Sequence, residues 1–216
     1  MKPIAECFLY GFIDTAYLHN RSCTDLTAVL CDNGVDLLQF RAKGLELGRV
    51  AQLAEEIKSV TDRFGVPLVI NDYPRFAAQI GAAYCHLGQE DLALNEVADA
   101  DPKTFAPTAG YQLGVSTHSP AQAARAISFG AAYLGVGPVY ATETKPTAKA
   151  VTLEYVRWAS KNVPIPWFAI GGISLSNLDQ VLGAGANRIC VVSGILNAPD
   201  PARACKSFKE RLTSAY

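Results

Sequence analysis

The sequence predicts a (β/α)8 barrel formed by a single domain, residues 1–216. Eight apolar runs each stop at a polar or glycine-rich cluster, and helix-patterned segments lie between them. The runs are nearly continuous rather than alternating, which is typical of parallel strands covered on both faces. The length fits as well, because α/β barrels commonly form one domain of about 200–250 residues. An open doubly wound sheet is the alternative, but repeated right-handed crossovers favour the closed barrel.

Each predicted strand is a short run rich in apolar and β-branched residues. In a parallel barrel the downstream ends of the strands meet on one face, so residues distant in sequence form one site there. The predicted strands are Phe8–Asp14, Asp36–Arg41, Pro67–Asp72, Ala83–Gly88, Tyr111–His118, Ala131–Tyr140, Pro166–Gly172 and Asn187–Gly194.

Helix signals lie between these runs. Residues 50–64 carry apolar side chains at three- and four-residue steps, which predicts an amphipathic helix. Ser119 and Pro120 predict an N-cap followed by the first helical position, and Pro201 marks the start of the last helix. The segment 92–112 is the least regular, and we expect a short helix and a long loop there.

Composition narrows the classes of function. Half of the residues are hydrophobic, the net charge is −1, and no Lys/Arg block is longer than two residues. The electrostatic footprint of a nucleic-acid-binding protein is therefore absent. No stretch approaches the roughly 20 apolar residues of a membrane span. We expect a cytoplasmic protein that acts on small molecules, with no nucleic-acid or membrane partner, and a homo-oligomer is left open.

The six cysteines show no CxxC pair, and several lie inside apolar runs. A thiol in such a run behaves as a small hydrophobic group. Disulfide frameworks belong to short secreted chains. We therefore expect buried, unpaired thiols in a reducing compartment.

Two cations follow the second run. Strand alternation puts Gln39 and Arg41 on the same side, and Lys43 follows from the loop. Arginine binds phosphate oxygens in a bidentate manner and lysine acts as a point charge. The two residues thus indicate an anion site, although taken alone they fit solvated surface cations at least as well.

Carboxylates lie at or just after the ends of the next two runs. Asn71 and Asp72 end the third run, and Asp91 follows the fourth. Mg²⁺ is usually held by one or two carboxylates together with substrate phosphates and water. Asp72 and Asp91, on neighbouring strands, therefore predict a magnesium site. Helix N-capping is the alternative for either aspartate.

Hydroxyl groups and a lysine follow the fifth and sixth runs. Ser116 ends the fifth run, where its hydroxyl can donate to a phosphate. Thr142, Thr144 and Lys145 occupy a segment without apolar anchors, as expected of a mobile lid. A plain solvated loop is the alternative. Two histidines are expected to pack and hydrogen-bond within the fold: His86 and His118.

Glycines end the last two runs. Gly171 and Gly172 close the seventh, and Val192, Ser193 and Gly194 close the eighth. Glycine at these positions lets a phosphate approach backbone N–H groups, often beside the N-terminus of a short helix. The pattern predicts a second anion site, and tight strand-to-helix turns are the alternative. Two anion sites on one face imply two phosphorylated ligands or one bisphosphate.

Taken in order, these motifs resemble those of the thiamin phosphate synthase family, a (β/α)8-barrel superfamily that includes the thiazole tautomerases. The resemblance extends from about Tyr10 to Leu212. The motifs that carry it are Gln39-x-Arg41-x-Lys43, Asn71-Asp72, His86-Leu87-Gly88-Gln89-Glu90-Asp91, Gly114-Val115-Ser116-Thr117-His118, Gly135-x-Gly137-Pro138, Thr142-x-Thr144-Lys145, Gly171-Gly172-Ile173 and Val192-Ser193.

The resemblance implies a Mg²⁺-dependent transferase of thiamine biosynthesis. It would join 4-amino-5-hydroxymethyl-2-methylpyrimidine diphosphate to a thiazole phosphate, releasing pyrophosphate and thiamin phosphate. The family's mechanism is dissociative, so the diphosphate leaves first and the thiazole nitrogen captures the carbocation. The implied roles are Mg²⁺ binding by Asp72 and Asp91, diphosphate binding by Arg41, Lys43, Asn71, Ser116 and Lys145, pyrimidine binding by Gln39, and thiazole phosphate binding by Thr142, Thr144, Gly172, Val192 and Ser193.

Two other functions compete with this one. Thiazole tautomerases share the fold but carry a histidine where this sequence has Pro138, and they tend to lack the Asn-Asp and Gln-Glu-Asp elements. A barrel that only binds a phosphorylated ligand is the other alternative. The aspartates and cations argue against it, because binding alone does not require metal assistance to a leaving group.

Overall fold

The protein, represented by a computed structural model, is a closed barrel of eight parallel strands paired in sequence order. The structure describes residues 1–89, 110–142 and 150–214. The predicted fold class is confirmed, and every strand lies within one of the predicted runs. The strands are β1 Leu9–Asp14, β2 Leu37–Arg41, β3 Leu68–Asn71, β4 Tyr84–Leu87, β5 Gln112–Thr117, β6 Tyr133–Val136, β7 Trp167–Ile170 and β8 Ile189–Cys190.

Helices alternate with these strands on the outside of the barrel. Two short 3₁₀ turns, Ile4–Glu6 and Thr15–Tyr17, flank β1. The predicted irregular segment, 92–112, lies outside the described residues except for 110–112, and Gln112 already belongs to β5. The helices are α1 Cys23–Asp32, α2 Leu47–Phe64, α3 Pro74–Gln79, α4 Pro120–Ser128, α5 Thr152–Asn162, α6 Leu178–Gly183, α7 Ser193–Leu196 and α8 Pro201–Ser214.

The predicted helix starts are confirmed. The Ser119 hydroxyl caps α4 by accepting a hydrogen bond from the backbone N–H of Gln122, and Pro120 is the first helical residue. Pro201 begins α8, whose residues Cys205 and Phe208 are fully buried. None of the described helices has both the length and the apolar character that crossing a bilayer requires.

The strand register brings the predicted site residues to one level. Asp14 pairs with Arg41 across β1 and β2, and Asn71 pairs with His86 across β3 and β4. Ser116 on β5 pairs with Gly135 on β6. Because all strands are parallel, these pairs lie together at the carboxyl-terminal face of the barrel.

Aromatic rings fill the barrel interior below that face. Tyr10 packs edge-on against Phe168 and Tyr133, with ring centroids 5.1 and 5.9 Å apart. Tyr84 packs against Tyr133 in the same way, at 5.7 Å. A side chain at Gly114 would bring its Cβ within 2.2 Å of the Tyr133 ring, so only glycine leaves room for that ring.

The opposite face is held by one buried carboxylate. Asp36 accepts hydrogen bonds from the backbone N–H groups of Phe8 and Leu9, each at 3.0 Å. It also pairs with Lys2 from the N-terminus and Lys209 from α8. This cluster ties both ends of the chain to the start of β2.

Candidate active site

A cavity of about 90 Å³ that opens to solvent occupies the carboxyl-terminal face. Of the thirteen side chains predicted for the site, ten line this cavity. The other three, Asp91, Thr144 and Lys145, lie outside the described residues. The ten are Gln39, Arg41, Lys43, Asn71, Asp72, Ser116, Thr142, Gly172, Val192 and Ser193.

Arg41 projects from the end of β2 and is held by a partner that the sequence analysis did not identify. Its Nη1 donates to Asp14 Oδ2 at 2.6 Å, and the two side chains are 12% and 1% exposed. Arg41 is therefore not a solvated surface cation. A guanidinium carries five N–H donors, so this pair leaves donors for a ligand in the cavity.

Lys43 and Asp72 face each other across the neighbouring part of the mouth. Lys43 Nζ lies 3.3 Å from Asp72 Oδ2, and the lysine is half-exposed. Asp72 has a φ of +64°, an uncommon conformation that aspartate tolerates better than most residues. The N-cap of α3 is Tyr73, without a side-chain cap. Asp72 therefore lines the cavity rather than capping the following helix.

His86 and His118 both hydrogen-bond within the fold, which confirms the predictions for them. His86 Nδ1 lies 3.0 Å from the Tyr133 hydroxyl, and its Nε2 lies 2.8 Å from Ser116 Oγ. His118 Nδ1 contacts the carbonyl oxygen of Gly137. Both rings also line the cavity. Their hydrogen bonds hold each ring in one orientation at the cavity wall.

Gly171 and Gly172, which follow β7, adopt backbone conformations that require glycine. Gly171 and Gly172 have φ angles of +100° and +63°. A Cβ at these positions would lie 2.4 Å from the Cβ of Pro138 and 2.7 Å from the carbonyl oxygen of Ala141. The tight-turn explanation therefore holds for both glycines. Gly172 also lines the cavity, as does Ser193.

The donor set fits a metal only in part. Within residues 1–89, 110–142 and 150–214, no group of three or more His, Cys, Asp or Glu side chains could hold an ion. Asp72 is the one carboxylate among the described cavity residues. Mg²⁺ binds to one or two carboxylates and completes its shell with phosphates and water. The site thus fits a magnesium ion shared with a phosphorylated ligand, and not a cage of protein ligands alone.

The fold and the site define a (β/α)8-barrel protein whose ligand cavity opens at the carboxyl ends of its strands. The family described as thiamine monophosphate synthase matches residues 9–195. The chain belongs to this family, as its motifs predict, and the predicted enzyme class, a transferase, is confirmed.

Individual relatives agree with this assignment. A thiamine-phosphate synthase of Thermus thermophilus is 48% identical over 189 residues, covering 87% of this chain and 88% of the relative. One of Caldicellulosiruptor bescii is 35% identical over 215 residues, covering 99% and 95%. The solved structure of a thiamine phosphate pyrophosphorylase from Pyrococcus furiosus superposes with a TM-score of 0.84 at 24% identity, covering 98% of each chain. That structural likeness supports the fold alone.

Proposed function

We propose that this protein joins 4-amino-5-hydroxymethyl-2-methylpyrimidine diphosphate to a thiazole phosphate, forming thiamin phosphate and pyrophosphate. The arrangement of Arg41, Lys43 and Asp72 at one cavity mouth carries the proposal. Two cations and a metal-binding carboxylate suit a diphosphate that leaves with negative charge. Family membership and the relatives' names support the same reaction.

The diphosphate end of the substrate would lie at the mouth. Arg41, oriented by Asp14, would bind its oxygens with a rigid pair of N–H groups. Lys43 would exchange part of its contact with Asp72 for the diphosphate, and Lys145 would add a further positive charge. A bound Mg²⁺, held by Asp72 and Asp91, would neutralise negative charge on the oxygens of the leaving diphosphate.

The pyrimidine would lie deeper, against Gln39, whose side chain is buried in the barrel. Its amide oxygen would accept a hydrogen bond from the exocyclic amino group of the pyrimidine. No side chain is required as nucleophile or general base, because the ring stabilises the carbocation that remains. The protein's contribution is positioning and preorganised charge, worth about 3–4 kcal/mol per well-placed donor.

The thiazole phosphate would occupy the opposite side of the mouth. Gly172, Ser193 and Thr142 all line the cavity. The close backbone approach at Gly172 leaves N–H groups near the surface, where phosphate oxygens can accept from them. Thr144 is proposed to complete this site from the neighbouring segment.

One experiment separates this function from its alternatives. Purified protein is given Mg²⁺, the pyrimidine diphosphate and the thiazole phosphate, and pyrophosphate release is followed with a coupled assay. We expect turnover that requires both substrates and stops when EDTA is added. A tautomerase or a binding protein would release no pyrophosphate. Pro138 lines the cavity at the position where tautomerases carry a histidine. Proline has no ionisable group, so this position does not favour the proton transfer of a tautomerase. A cytoplasmic location and a homo-oligomeric state stay predictions.

A further inference from the structure

A continuous line of side-chain hydrogen bonds runs through the barrel interior beneath the cavity. The Gln39 amide nitrogen donates to the Tyr10 hydroxyl, which lies 2.8 Å from the Tyr133 hydroxyl. Tyr133 is in turn 3.0 Å from His86 Nδ1, and His86 Nε2 is 2.8 Å from Ser116 Oγ. We call these five residues the buried network. Its two ends and His86 line the cavity, whereas the two tyrosines lie below it.

Counting protons gives the network a direction. An amide nitrogen cannot accept, so the Tyr10 hydroxyl accepts from Gln39, and its own proton must go to Tyr133. Tyr133 then has one proton left, which it donates to His86 Nδ1. With the Gln39 amide in this orientation, any other arrangement leaves a buried hydroxyl proton without an acceptor among the described partners, which is costly in a barrel interior.

The direction fixes the tautomer of His86 and the orientation of Ser116. Because Nδ1 accepts from Tyr133, the imidazole carries its proton on Nε2 and donates it to Ser116 Oγ. That oxygen is thereby occupied as an acceptor, and its hydroxyl proton is available to the cavity. At the other end, the Gln39 amide nitrogen points to Tyr10, so its carbonyl oxygen is available to a ligand donor.

We propose that Tyr10 and Tyr133 are positioning residues that set which way the buried network donates. Through them the cavity presents a hydroxyl donor at Ser116 and an amide acceptor at Gln39. The direction itself follows from the hydrogen bonds. The identity of the groups that meet Ser116 and Gln39 rests on the proposed function, in which they are the diphosphate and the pyrimidine.

Packing and electrostatics support a fixed network. Burial raises the pKa of both tyrosine hydroxyls well above the ordinary value, so they remain neutral donors. The Tyr133 ring occupies space that only the missing side chain of Gly114 leaves open. Three rings pack edge-on around it, which holds the hydroxyl in one place.

The tautomer can be read directly by long-range ¹⁵N–¹H correlation NMR of the histidine rings. The chain has three histidines, so His19→Asn and His118→Asn variants assign the signals. We expect His86 to carry its proton on Nε2. His118 is an internal reference for the other tautomer. Its Nδ1 must carry a proton because it donates to a carbonyl oxygen. A proton on Nδ1 of His86 in the wild-type protein would overturn the proposal, whatever the enzyme's activity.

Kinetics test the consequence for the ligand. We expect Tyr133→Phe to lower kcat/KM for the pyrimidine diphosphate about tenfold, the scale of one lost hydrogen bond, and to change the His86 Nδ1 shift. Tyr155→Phe is the matched control. Its buried hydroxyl donates to Thr117 Oγ1 at 2.8 Å, next to Ser116 in sequence but outside the network. It should change neither the His86 signal nor kcat/KM by more than about twofold.

The outcomes distinguish this inference from the proposed function. Equal losses in Tyr133→Phe and Tyr155→Phe, or none in either, would overturn the positioning role. If the wild-type protein gives no turnover, the proposed function fails. Calorimetry then tests the inference by measuring the affinity of the wild-type protein and both variants for pyrophosphate in the presence of Mg²⁺. Weaker binding by at least about threefold in Tyr133→Phe alone supports it, and equal affinities overturn it. If Tyr133→Phe does not fold, Tyr10→Phe is the second variant.

Discussion

Asp14 and Arg41 form a buried ion pair at the mouth of the cavity, with Nη1 and Oδ2 2.6 Å apart. The two residues are register partners at the ends of β1 and β2. The other carboxylate oxygen of Asp14 accepts from the backbone N–H of Ala16 at 3.0 Å, which fixes the carboxylate. Asp14 therefore orients the guanidinium from below, although it is not itself among the cavity-lining residues.

Replacing Asp14 with Asn should weaken both the fold and the site. The substitution leaves Arg41 with a neutral partner in a nearly buried position, which costs about 3 kcal/mol of unfolding free energy. We expect kcat/KM for the pyrimidine diphosphate to fall at least about tenfold because the guanidinium loses its fixed orientation. Urea unfolding and steady-state kinetics measure the two effects.

The control is Asp62→Asn, which removes the surface pair that Asp62 forms with Lys58 one helical turn away. Exposed pairs of this kind contribute about 0.5 kcal/mol or less. An Asp14→Asn protein as stable and active as Asp62→Asn would show that the buried pair does not position Arg41.

Asp72→Ala and Lys145→Ala should each lower kcat with the fold intact. Both residues are proposed to act on the diphosphate, and loss of one preorganised group typically costs about 10²–10³ in rate. Lys161→Ala, at an exposed position of α5, is the control and should retain wild-type turnover. Circular dichroism checks the fold. Wild-type rates in both site variants would remove these assignments.

Acid should destabilise the protein through Asp36. Burial raises the pKa of this carboxyl, but hydrogen bonds from Lys2, Lys209 and the backbone amides of Leu9 and Phe8 outweigh it, and the net pKa is lowered. The ionised form therefore contributes stability above the unfolded-state value of about 3.9, and this contribution is lost as the pH falls through the lower folded-state pKa.

The measurement is the urea midpoint between about pH 7 and about pH 2.5. We expect Asp36→Asn to be about 1–3 kcal/mol less stable at neutral pH, since its lysine partners are only partly exposed. The variant should lose less stability than the wild type over the acid range. Parallel curves for the two proteins would exclude Asp36 as the group responsible.

The six cysteines should be unreactive in the native protein. All six are free and buried. Burial raises the pKa of the Cys7, Cys31 and Cys205 thiols to about 12, so the reactive thiolate is scarce near neutral pH. Ellman's reagent at about pH 8 should react slowly with the folded protein and with six thiols in denaturant. Rapid labelling of one full thiol in the native state would contradict this.

The strands were predictable because parallel strands buried on both faces leave a long apolar signal. Each predicted run overshoots its strand by one to several residues, as in Ala131–Tyr140 against β6, Tyr133–Val136. The overshoot has a physical cause. Residues after the strand, such as Val139, remain buried as the backbone turns over the cavity, so hydrophobicity continues where the ladder has ended.

Most of the site residues could be predicted because they are polar or glycine residues at the ends of apolar runs. Asp14 could have been found in the same way, since it ends the first run, but its partner depends on the register of β1 against β2. Tyr10 and Tyr133 carried no such signal. In sequence they are two aromatic residues inside apolar runs, and their hydroxyl groups bond to each other and to residues from two other strands, β2 and β4.

The order of apolar runs and helix signals by itself determined the barrel and the face that bears the site, and the motifs at the ends of the runs indicated the family, because each of these patterns is local in the chain. Tertiary structure alone decided which charges pair and which way the buried hydroxyls donate. Asp14 and Arg41 are 27 positions apart in the chain, and Tyr10 and Tyr133 are 123 positions apart. Only closure of the barrel sets the distances and registers between them.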